Sequence, residues 1–84
     1  IGPGMSQALF ALAKLSFSNG HYETAKKHFV DFDQKRRRLN AEQLWLAINI
    51  ERKTGNPNVE ASYALQLRKR FPDSSEAKQL ISGE

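Results

Sequence analysis

Two stretches of this chain match position for position. LFALAKLSFSNG (Leu9 to Gly20) is echoed by LWLAINIERKTG (Leu44 to Gly55), and the second glycine stands 35 residues after the first. Leu44 answers Leu9, Trp45 answers Phe10, Ala47 answers Leu12 and Ile48 answers Ala13. An internal repeat of this length constrains the fold more than any single residue, because each copy must be one supersecondary unit. Within the first copy Leu9, Leu12, Ala13, Leu15 and Phe17 fall on helical spacing, and so do Tyr22, Ala25, Phe29 and Phe32 after it. Ser18-Asn19-Gly20-His21 lies between the two sets, and Gly20 can take the left-handed conformation that ends a helix and reverses the chain. Ala25 is small enough to let the second helix approach the first. After Gly55 the copy resumes with one extra residue, Ala61 for Ala25 and Leu65 for Phe29, and Asn56-Pro57-Asn58 supplies the longer turn.

Helix–turn–helix units repeating at about 34 residues resemble the tetratricopeptide pattern. The resemblance rests on Leu9, Leu12, Ala13, Gly20, Tyr22, Ala25, Phe29 and Pro72. The chain departs from that pattern with Ala13 and Ile48 where it prefers glycine, Phe32 where it prefers alanine, and Arg36-Arg37-Arg38 where it prefers proline. The fold class expected is all-α, with two antiparallel helical hairpins and a short C-terminal capping helix. Residues 1–5 read as a scar or linker, 6–38 as the first repeat, 39–72 as a divergent second repeat, and 73–84 as the cap and tail.

Local signals place the helix ends. The first helix is expected from about Ser6, as N-cap, to Ser18, and the second from Tyr22 to Lys35. The basic run Lys35-Arg36-Arg37-Arg38 then suits the negative end of a helix dipole. Asn40 with Gln43 three residues later forms a variant capping box for a third helix ending at Thr54-Gly55. A fourth helix is expected over Val59 to Arg70, stopping before Phe71-Pro72. Asp73-Ser74-Ser75-Glu76 is a helix-start signal, and Ala77, Leu80 and Ile81 give the last helix an apolar face that lids the second repeat.

Composition excludes more than it assigns. The 84 residues bound one small domain or part of a larger array, with little stability to spare. With no cysteine there is neither a disulfide nor a thiolate metal site. No apolar run approaches the roughly 20 residues that cross a bilayer. His21 and His28 are the two histidines and lack further ligands at helical spacing, so no metal or other cofactor is expected. No nucleophile–base pair or phosphate-binding loop appears, so neither an enzyme nor a small-molecule substrate is expected.

Binding is the better prospect. In stacked helical hairpins the first helix of each pair lines the concave surface. That places Gln7, Phe10, Lys14, Phe17 and Ser18 there from the first repeat, and Glu42, Trp45, Asn49, Arg52 and Lys53 from the second. Phe10 and Trp45 hold equivalent places, and Asn49, Arg52 and Lys53 add donors for a peptide backbone or carboxylate. The competing interpretation makes Phe10, Phe17 and Trp45 packing residues and the polar set a solvated helix face. The net charge of +4 gathers at Lys35–Arg38 and Arg68-Lys69-Arg70. Charge compensation at helix ends accounts for both clusters better than nucleic-acid binding, which would weaken steeply with salt. An apolar side of the first hairpin, with Phe10 and Phe17, is expected to favour self-association.

The last repeat is more distinctive. ERKTGNPNVEASYALQLRKRFPDSSEAKQL, with YALQLRKRFPDS (Tyr63 to Ser74) at its heart, resembles the C-terminal end of the type IV pilus biogenesis lipoproteins, the outer-membrane pilotins of the PilF/PilW group. AKLSFSNGHYETAKKHFVDFDQ (Ala13 to Gln34) and LWLAINIERKTGN (Leu44 to Asn56) are similar to their last repeats too. The resemblance implies a periplasmic protein–protein adaptor, held to the outer membrane by an N-terminal lipid anchor outside these residues, that helps the pilus secretin localise and assemble. It brings no catalytic residues. The alternative left open is a cytosolic tetratricopeptide adaptor for an acidic C-terminal peptide.

Overall fold

The computed structural model describes residues 3–34 and 38–83, with side chains over 7–34 and 38–82. Lys35, Arg36 and Arg37, and with them most of the first basic run, lie outside the described residues. Five helices follow one another: α1 (Pro3–Ser18), α2 (Tyr22–Gln34), α3 (Ala41–Thr54), α4 (Pro57–Arg70) and α5 (Ser75–Gly83). Helix α1 packs on α2, and α3 packs on α4, so the described residues form the two helical hairpins the sequence predicts, with no strand among them. The chain divides at Leu39/Asn40 into two units, the first built on α1 and α2, the second on α3, α4 and α5.

Each hairpin turns on a glycine in the left-handed region. Gly20 has φ +81° and Gly55 φ +80°. Behind Gly20 the His21 amide donates to Ser16 O at 2.8 Å and the Gly20 amide to Phe17 O at 3.0 Å, which is a Schellman closure. The second turn repeats the long bond, Asn56 N to Glu51 O at 3.0 Å, and adds one from the Gly55 amide to the same carbonyl. A Cβ at Gly55 would meet nothing within 4 Å, so its backbone angle alone requires glycine. Gly55→Ala is therefore expected to cost about 1–2 kcal/mol, the strain of a left-handed L-residue, as a lower urea midpoint with unchanged slope.

The helix starts are equally local. Asn40 Oδ1 accepts from the Gln43 amide and Gln43 Oε1 accepts from the Asn40 amide, both at 2.8 Å, closing the capping box. Ser74 Oγ accepts from the Ala77 amide at 3.0 Å and so caps α5. Two helices begin earlier than expected. Helix α1 starts at Pro3, inside the segment read as a linker, and α4 starts at Pro57 rather than Val59. In both cases proline occupies the first helical position, where its missing N–H breaks no bond.

The first hairpin buries Ala13, Ala25, Phe29 and Phe32, with Phe32 1% exposed. Ala13 and Ala25 are fully buried, as close helix approach demands. Leu12 and Leu15, expected on the inner face of α1, are 44% and 59% exposed. Seven of the eleven residues from Leu9 to Asn19 are apolar, so spacing alone did not discriminate the sides of this helix.

The second hairpin buries Leu44, Ala47, Ile48, Ile50 and Leu67, and α5 adds Ala77 and Leu80. Helix α5 packs on both α3 and α4, which is the lid expected of it, although Ile81 stays exposed. The face of α4 corrects the sequence expectation. Ala61 and Leu65 lie on the exposed side, and Glu60, Tyr63, Ala64 and Leu67 carry the packing. Helix α4 begins 35 residues after α2 begins, so the period of the first helices continues unbroken through the second. There is no extra residue. Leu67 takes the place of Phe32, and Ala64 that of Phe29. The Asn56-Pro57 turn occupies the same span as His21-Tyr22, because Pro57 is already helical.

Candidate functional site

Phe10, Lys14 and Phe17 recur on α1 at intervals of four and three, so they form one stripe of that helix. Phe10 is half-buried, its ring centroid 5.3 Å from that of Phe32 and its plane inclined 30° to it. Phe32 in turn meets Phe29 at 5.7 Å, so Phe10 is the outer member of the first hairpin's aromatic cluster. The Lys14 ammonium stands 5.3 Å over the outer ring, a contact typically contributing about 0.5–1 kcal/mol at an exposed site. Phe17 is half-buried against Tyr22 across the turn, centroids 5.1 Å apart. Both phenylalanines expected to drive self-association are thus engaged within their own hairpin. Among the described side chains, the large apolar groups that α1 leaves outside are Leu12 and Leu15.

Trp45, Asn49, Arg52 and Lys53 form the corresponding stripe of α3. Trp45 is half-buried, intermediate between a core and a surface side chain. Asn49 Nδ2 donates to Trp45 O at 2.8 Å, which ties that amide to its own helix. Arg52 Nε donates to Glu60 Oε2 at 2.8 Å, joining the end of α3 to the start of α4. With side-chain exposures of 45% and 24% the pair is partly screened, and its main effect is to hold the guanidinium in place. Lys53 is exposed in the last turn of α3, where the helix dipole favours positive charge.

No group of His, Asp or Glu able to hold a metal occurs among the described residues. His21 is exposed in the turn and His28 half-buried on α2. Burial raises the carboxyl pKa of Asp33, near the C-terminus of α2, and it belongs to neither stripe. Among the described residues no helix is long and apolar enough to cross a membrane.

The structure also shows a concavity that the sequence reading missed. It measures about 300 Å³ and is lined by Arg52, Pro57, Glu60, Ala61, Ala64, Arg68 and Leu80, residues of α3, α4 and α5. Its signal was present in Ala61, Ala64, Leu65 and Arg68 at helical spacing, but Ala61 and Leu65 were matched to the inward Ala25 and Phe29, and Arg68 to charge at the helix end. Arg68, Lys69 and Arg70 occupy the last turn of α4, the place charge compensation requires. The Arg70 guanidinium also lies 5.0 Å over the Phe71 ring.

No protein-family model matches the chain, and no curated protein matches it. Solved structures do. The structure of PilF from Pseudomonas aeruginosa superimposes with a TM-score of 0.88 and 25% sequence identity, over 94% of this chain and 35% of its own. PilW, described as a widely conserved type IV pilus biogenesis factor, gives a TM-score of 0.86 and 26% identity, over 94% of this chain and 36% of its own. The chain thus spans about a third of the length of each. Its fold is of the tetratricopeptide type, tandem helical hairpins, and the chain is similar to PilF and to the type IV pilus biogenesis factor PilW.

Proposed function

We propose that the chain is a non-catalytic protein–protein interaction module of a type IV pilus assembly machine. It acts in the cell envelope, on the periplasmic face of the outer membrane, and its partner is the outer-membrane secretin. The likeness to PilF and PilW over nearly the whole chain carries this reading. The contact surface proposed is the half-exposed stripe of the first helix in each hairpin: Phe10, Lys14 and Phe17 on α1, and Trp45, Asn49, Arg52 and Lys53 on α3. Both stripes join an aromatic ring to cationic groups, the composition of a binding hot spot.

The test is a pull-down from detergent-solubilised outer membranes, with the chain and its Trp45→Ala variant as baits. Secretin is expected on the first bait, with retention by the second reduced about 30-fold, as for loss of a tryptophan hot spot near 2 kcal/mol. Equal retention by both baits removes Trp45 from the contact. Absence of secretin from both removes these helix stripes as its docking surface.

A further inference from the structure

The groove at the α4–α5 end of the second hairpin shares Arg52 with the α3 stripe and otherwise belongs to neither stripe. Its floor is apolar and low: Ala61 and Ala64 carry only methyl groups, and Leu80 beneath them is 3% exposed. Leu65, half exposed, follows Ala61 by one helical turn and extends the apolar stripe of α4. Charge is asymmetric around this floor. Glu60 is the single acid among the lining residues, and one of its oxygens already accepts from Arg52. Arg68, at the far end, is exposed and has no hydrogen-bond or ion-pair partner among the described residues. A guanidinium without a partner beside a small apolar trough has a definite complement, a planar carboxylate next to an aliphatic side chain.

We propose that this groove binds a short acidic peptide segment of a partner protein, with a carboxylate on Arg68 and an aliphatic side chain over Ala61, Ala64 and Leu80. The dimensions favour a peptide. The concavity is at the small end of the range for ligand sites and takes one or two side chains. Its lining holds no aromatic ring, so it offers no stacking platform for single-stranded nucleic acid. Its apolar surface is recessed, whereas insertion into a lipid surface needs apolar groups that project. The proposal rests on the chain being an interaction module, but not on which protein of the pilus machine it meets.

The experiment is an amide-resolved NMR titration of the 84-residue chain with an acetylated, amidated peptide alternating glutamate and leucine. Shifts are expected at Ala61, Ala64, Arg68 and Leu80. Affinity should fall about fivefold or more in Arg68→Glu, or when the peptide's glutamates become glutamines, the scale of one partly screened charge-assisted contact. Arg68 is exposed, so the variant should keep the parent spectrum away from the groove. Shifts confined to the α1 or α3 stripes, or equal affinity for the two peptides, would overturn the proposal. So would groove shifts that depend on protein concentration before peptide is added, which mean a second copy. Arg68-dependent sedimentation with phosphatidylglycerol vesicles, without peptide binding, assigns the site to lipid and also overturns it. The Trp45 pull-down reads other helix stripes, so the two results fail separately.

Discussion

Phe32→Ala is expected to remove about 3–5 kcal/mol of stability, the usual range for truncating a fully buried phenylalanine. The residue is 1% exposed and its ring touches two others, Phe10 at 5.3 Å and Phe29 at 5.7 Å. Truncation would therefore lose its own transfer energy and strand two aromatic neighbours around a cavity. A chain of 84 residues has roughly 4–12 kcal/mol to lose at the usual stability per residue. The substitution would thus consume a large share of the whole. The loss should appear as a urea midpoint lowered by at least about a quarter, and as faster hydrogen exchange concentrated over residues 3–34, where Phe32 makes its ring contacts. Phe32→Leu keeps most of the volume and should cost below about 1.5 kcal/mol. Equal losses from the two variants would mean that the cluster does not depend on the ring.

Leu67→Ala and Leu65→Ala, two positions apart on α4, are expected to differ by most of the energy of a core residue. Leu67 is fully buried, while Leu65 is 50% exposed. The first should cost about 2–5 kcal/mol. The second should stay within about 0.5 kcal/mol of the parent. Parallel urea denaturation of the two variants decides the repeat period. An unbroken 35-residue offset makes Leu67 the equivalent of Phe32, whereas one extra residue in the turn would put Leu65 in the place of Phe29. Reversal of the two costs would restore the inserted residue and turn α4 to present its other side.

What the sequence determined by itself was local. Gly20 and Gly55 mark chain reversals because the left-handed backbone needs no tertiary partner to favour glycine. Asn40 with Gln43, and Ser74 ahead of Ala77, mark helix starts because the capping bonds span three residues. The 35-residue spacing followed from direct comparison of two stretches, and with it the hairpins and the likeness to pilus biogenesis factors. The placement of Phe10, Lys14 and Phe17, and of Trp45, Asn49, Arg52 and Lys53, on two stripes followed from helical spacing alone.

Tertiary structure decided which face each helix turns inward. On α4 both Ala61–Leu65 and Ala64–Leu67 are apolar at helical spacing, and the choice between them depends on where α3 and α5 lie. On α1 a nearly continuous apolar run left Leu12 and Leu15 free to be read as core, until packing on α2 selected Ala13 with Phe10 and Phe17 at its flanks. The groove at Arg68 needed three helices at once, since Arg52, Ala61 and Leu80 meet only when α3, α4 and α5 have packed. Periodicity fixes the angular spacing of side chains about a helix axis. The rotation of that axis against its neighbours is set by contacts far apart in the chain.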